Sequence, residues 1–240
     1  MTLRAAFLVV SLLLICGLCP AQVQQPLAPK DADAASPMPT VTFELFWEQA
    51  TPQSYTITLD VAGNAHYESH TPERPAEGRS STPSDPDDFE TQLTLSRDTR
   101  DQILRLAKEL DYFNGDWDFK KHVVANTGKK TLTWSDAGRK FHTVYNFSES
   151  KQLQQLTSIF EGISLTLEHG RKLQFLHRFD KLGLESELSG MEEMFKRHDL
   201  YELQLIAPTL RKIANDTAVL HLARQRAGRL LDAGRGAEGH

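Results

Sequence analysis

The chain has 240 residues, 40% of them hydrophobic, and a formal net charge of −5. That length and apolar content suffice for one medium or two small domains with real cores. Residues 22–170 hold 14 basic against 22 acidic side chains, which argues against a nucleic-acid protein, because counterion release from phosphates needs a basic surface.

Residues 1–21 read as an export signal: Arg4 supplies the charged start, Ala5 to Cys19 the apolar run, and Ala21 a cleavage position. Fifteen residues are short against the roughly 20 that a membrane-spanning helix needs. An uncleaved anchor is one alternative. A lipid on Cys16 or Cys19 is another, although Ile15 and Leu18 stand where such signals want a small residue. Cleavage after Ala21 would remove both cysteines, leaving a periplasmic or extracellular chain with no disulfide and no thiolate site.

Residues 22–39 are rich in Gln, Pro, Ala and Asp and form an expected flexible leader. Alternating apolar residues predict strands at 41–45 and 55–61, and the Gly63-Asn64 turn predicts a third at 65–69. Residues 71–87, with four prolines, predict a long mobile loop. A short strand should follow at 89–95, then a helix capped by Ser96, with Ile103, Leu106, Ala107 and Leu110 inward and a stop near Asn114-Gly115. Strands at 131–135 and 140–147 should join through Asp136-Ala137-Gly138.

Beyond Phe147 the period is helical. Ser148 is the expected cap of a helix carrying Leu153, Leu156, Ile159, Phe160 and Ile163, and Leu173, Leu176, Phe179 and Leu182 extend the stripe. Breaks are expected at Gly183 and at Ser189-Gly190. Asp199 and Glu202 have capping-box spacing before a helix at 200–213, in which Pro208 either kinks the helix or starts a new one. Asp216 or Thr217 should start the last helix, with Leu220, Ala223, Ala227 and Leu230 inward and Gly234 as its stop.

The expected fold is α+β: a mostly antiparallel sheet with one or two packed helices over 40–165, then an all-α helical module over 166–232 and a tail at 233–240. The order of a Tyr-containing strand (55–57), a Gly-Asn turn and His-Tyr strand (60–67), a helix ending in an aromatic (104–113) and a strand hairpin (131–144) resembles a family of small secreted bacterial domains of unknown function. The resemblance covers about residues 41–165 and implies a compact α+β fold with no activity attached. The Gly-Cys-Pro start of that family is replaced here by Ala50-Thr51-Pro52.

The best constellation for chemistry is His66, Glu68 and His70, which share one face of a strand and together suit zinc. The plainer reading is a polar strand edge facing solvent. Asp116 and Asp118 flank Trp117 as paired carboxylates, or simply as a turn. No nucleophile elbow, phosphate loop, dinucleotide fingerprint or His-Glu-x-x-His is present. Asn146-Phe147-Ser148 and Asn215-Asp216-Thr217 match the glycosylation pattern but sit where element ends use Asn and Ser as caps. The expectation is an exported, noncatalytic envelope or secreted protein that contacts a protein or cell-wall component. It would have no cofactor, no nucleic-acid partner and no membrane span in the mature chain. The alternative is a secreted hydrolase, zinc-dependent through His66, Glu68 and His70.

Overall fold

A computed structural model describes residues 38–72 and 88–236. The expected export segment with Cys16 and Cys19, the leader as far as residue 37, residues 73–87 of the expected loop and the end of the tail lie outside the described residues.

Alternation builds the sheet. β1 (Thr40–Phe46) buries Val41, Phe43 and Leu45, β2 (Ser54–Asp60) buries Tyr55, Ile57 and Leu59, and β3 (Asn64–His70) buries Ala65, Tyr67 and Ser69. Burial with period two is what a sheet covered on one face requires. With β4 (Asp88–Thr94), β5 (Lys129–Ser135) and β6 (Lys140–Tyr145), these strands form one antiparallel sheet in the order β4-β3-β2-β1-β5-β6. Asp136 shapes the β5–β6 turn: its Oδ1 accepts from the backbone N–H groups of Gly138 (3.1 Å) and Arg139 (2.9 Å).

Two helices pack on the inner face. α1 (Arg97–Glu109) is capped by Ser96, whose hydroxyl accepts from the Thr99 N–H at 3.3 Å, and its expected stripe is buried. A 3-10 turn at Asp111–Phe113 follows it and plugs Phe113 into the core. α2 (Lys151–Phe179) lays Leu153, Leu156, Ile159, Phe160 and Ile163 on the sheet, with the rings of Phe160 and Phe43 stacked 5.0 Å apart. The fold is α+β, with the all-α part following the sheet as expected.

α2 runs for 29 residues and crosses the boundary expected between residues 165 and 166. Its first half belongs to the sheet's buried cluster; Leu173 belongs to a second cluster, with α3 (Gly183–Lys196), α4 (Ala207–Asn215) and α5 (His221–Gly236). Glycines make room where the two meet. A Cβ on Gly162 would lie 2.7 Å from the Asp199 carbonyl and against the Tyr201 ring, and one on Gly170 would overlap Ile206.

Several helix-end expectations need correction. Ser150, not Ser148, caps α2: its hydroxyl accepts from the Leu153 N–H at 3.3 Å, while Ser148 is buried beneath it. α3 starts at Gly183 and runs through Ser189-Gly190 unbroken. Glu202 closes no capping box with Asp199. It adopts a left-handed conformation (φ 60°), and its carboxylate instead accepts from the Ser96 N–H (2.8 Å) and hydroxyl (2.6 Å), from Thr99 and from Gln204 (2.6 Å). A residue of the helical part thus caps α1 from more than 100 positions away, where the helix dipole favours a carboxylate. The last helix starts at His221 rather than at 216–217, because Asp216 shapes a turn by accepting from the Ala218 N–H at 2.9 Å. Phe179, Leu182 and Leu220, expected on the apolar stripes, are exposed, and α5 passes through Gly234, which packs against Leu203 instead of ending the helix.

Candidate functional site

The outward residues of the six strands belong to neither buried cluster. The registers set them in rows across the strands. One row reads Gln92, His66, Thr58, Thr42, Thr133, His142, and the next reads Glu90, Glu68, Thr56, Glu44, Thr131, Val144. Five threonines thus surround Glu44 at the centre, with the Thr42 and Thr58 hydroxyls 3.2 Å apart. Threonine suits this position because its branched carbon packs on the pleat while its hydroxyl faces water. Acidic groups gather toward β4, and Lys129 and Lys140 stand on the β5–β6 side.

The candidate metal ligands lie on this face. His66 and Glu68 meet as expected, Nε2 to Oε1, at 2.7 Å. His70 stays apart: two residues advance a strand by about 6.6 Å, so His66 and His70 are separated by roughly twice that, and the His70 Nδ1 pairs with Asp88 across the ladder. The third ligand-type atom comes from β4. Glu90 lies directly opposite Glu68, and its Oε1 is 3.4 Å from the His66 Nε2. One ligand atom from each of His66, Glu68 and Glu90 lies within 4.8 Å of the others. Sequence reasoning missed Glu90 because membership depends on the β3–β4 register, and the segment joining those strands carries no turn signal that fixes it.

Asp116 and Asp118 do separate structural work. Asp116 pairs with Lys120, and the Asp118 Oδ1 accepts from the Asn146 N–H at 2.9 Å. Asn146 in turn accepts from the Thr127 N–H at 2.8 Å through Oδ1, holding the loop ahead of β5 rather than capping a helix.

The inner face carries a polar layer that periodicity alone did not announce. The Tyr67 hydroxyl lies 2.9 Å from the Ser164 Oγ and donates to the Glu168 Oε1 at 2.7 Å; Ser69 donates to the same oxygen at 2.5 Å, and Arg171 pairs with the other at 2.9 Å. Burial, and then the Glu168 charge, push the Tyr67 hydroxyl far above its usual value. Lys130 is buried on the same face, which lowers its ammonium, with the Glu161 charge opposing. Its three protons go to the Thr127 carbonyl (2.9 Å), the Thr127 hydroxyl (3.0 Å) and the Asn146 carbonyl (3.2 Å). The ammonium is therefore committed to holding the loop ahead of β5.

No protein-family model matches the chain, and no curated protein matches its sequence. Among the described residues, no helix is long and apolar enough to cross a membrane.

Proposed function

We propose that the chain is an exported, noncatalytic interaction module that holds a positively charged protein or cell-envelope component against the open face of its sheet. The observation carrying this reading is the asymmetry of the sheet. Among the described residues its inner face is filled by α1 and α2, while its outer face presents a threonine field with Glu44 at its middle and Glu68, Asp88 and Glu90 toward one edge. A surface of that kind offers many weak hydrogen bonds and a field that attracts cations, which suits docking better than turnover. The inner Tyr, Ser and Glu groups that could perform acid–base work are hydrogen-bonded to one another.

The test uses the chain recovered from its native envelope. Its N-terminus should read Gln22 onward, and it should retain a cationic component that is released by raised salt. Thr42→Arg and Thr133→Arg place positive charge on the open face without touching the core. Both should abolish retention at an unchanged melting temperature. Retention by both variants equal to that of the native chain would refute the reading.

A further inference from the structure

We propose that His66, Glu68 and Glu90 bind one divalent transition-metal ion of the zinc class across the β3–β4 ladder. This inference does not depend on the docking reading. Glu68 and Glu90 are exact cross-strand partners, and like charges placed opposite each other on a sheet repel. Both carboxylates are mostly exposed, yet both lie within reach of the single nitrogen His66 Nε2, at 2.7 and 3.4 Å. Zinc bonds to imidazole nitrogen and carboxylate oxygen are about 2.0–2.2 Å, so tetrahedral ligands stand roughly 3.4 Å apart. The three ligand atoms, all within 4.8 Å of one another, need only small side-chain rotations to close on such an ion. The backbones that carry them are already fixed by ladder hydrogen bonds.

Gln92 completes the arrangement. It lies opposite His66, with its side-chain amide 2.7 Å from the His66 Nδ1. A ligating imidazole needs its other nitrogen to donate to an acceptor, which sets the tautomer and aims the ring. Gln92 provides that acceptor when its amide turns over to present Oε1. It is a positioning residue, and it leaves Nε2 pointed at the two carboxylates. Glu68 and Glu90 are mostly exposed, so solvent water can fill the remaining coordination position.

The test is zinc binding to the purified full chain by calorimetry, with nitrogen-15 spectra of the His66 ring. One zinc per chain is expected, with His66 Nε2 as the nitrogen whose signal moves. His66→Ala and Glu90→Gln should each weaken binding more than about tenfold, and Gln92→Leu by about tenfold or more, with Gln92→Glu restoring it. His70→Ala should change the affinity less than about twofold. All these side chains point away from the core, and far-UV dichroism verifies that each variant folds. The inference fails if the native chain binds no zinc, if His66→Ala binds as tightly as the native chain, or if His70→Ala weakens binding as much as Glu90→Gln. Zinc binding without any cationic partner would leave this site standing and the docking reading refuted.

Discussion

One helix serves two different neighbours. The first half of α2 lies on a sheet and buries large side chains against it, Phe160 on Phe43 above all. The second half still serves the sheet through Glu168, which Tyr67 and Ser69 reach, but mainly meets the helical part, where it offers a glycine to Ile206 and polar side chains to Glu187 on α3 and to Asp216 just past α4. His169 and Lys172 reach Glu187 at 2.5 and 2.6 Å, and His177 reaches Asp216 at 2.8 Å. A sheet is a broad surface on which one apolar stripe settles its own position. Short helices are narrow, so close backbone approach and partly buried ion pairs fix how they sit. Outside the Tyr67–Glu168 layer and Lys130, the sheet half should therefore resist changes of charge and yield to loss of volume. The helical half should yield to both.

Loss of core volume gives the largest effect. Phe160→Ala should cost about 3–5 kcal/mol and Leu188→Ala about 2–5 kcal/mol, since both side chains are fully buried. The three tryptophans, Trp47, Trp117 and Trp134, all pack in or against the sheet's cluster. Their fluorescence reports that half, while ellipticity at 222 nm reports mainly the helices. In urea, Phe160→Ala should move both signals together, and Leu188→Ala should move the ellipticity ahead of the fluorescence.

The glycines come next. Gly170→Ala should cost about 1–3 kcal/mol through overpacking against Ile206. Gly190→Ala, in a helix and with open space around its Cβ position, should stabilise by about 0.5–1 kcal/mol. Equal effects at the two positions, read as shifts in melting temperature, would mean that Gly170 is not where the helical half seats.

Acid separates the halves more gently. Burial alone would raise the Glu187 carboxyl, but hydrogen bonds from His169 and Lys172 outweigh it and hold the group below its usual 4.5. Its contribution is complete above that value and is lost as pH falls through the lower, folded one. Glu161, under the sheet, behaves oppositely: burial raises it, against the pull of Lys130, so it weakens the fold as pH rises past the usual value. Acidification below about pH 4 should thus reduce the ellipticity at 222 nm before it shifts tryptophan emission. Glu187→Gln should flatten that early change.

The sheet was legible because alternation and turn residues are local: Val41, Phe43 and Leu45 announce a strand, and Asp136 to Gly138 announce its hairpin. Helix faces were legible where a stripe meets a broad partner, as at Ile103 and Leu106. Helix ends were less so. Ser148 and Ser150 both suit a cap, and only packing places one of them inside. Glu202 looked like a local cap for its own helix, yet its partner is Ser96, a distant contact that spacing along the chain does not encode. The same holds for the candidate site: His66 and Glu68 lie on one strand, whereas Glu90 enters through a register set by the folded sheet.

The most direct test of the central claim, that the open sheet face is where this chain meets its partner, is site-specific photo-crosslinking in the native envelope. A photoreactive side chain at Thr58 or Thr133 should give one discrete adduct that disappears with Thr42→Arg. The same probe at exposed Ser186 on α3 should give none. An adduct from Ser186 with nothing from either sheet position would contradict the account.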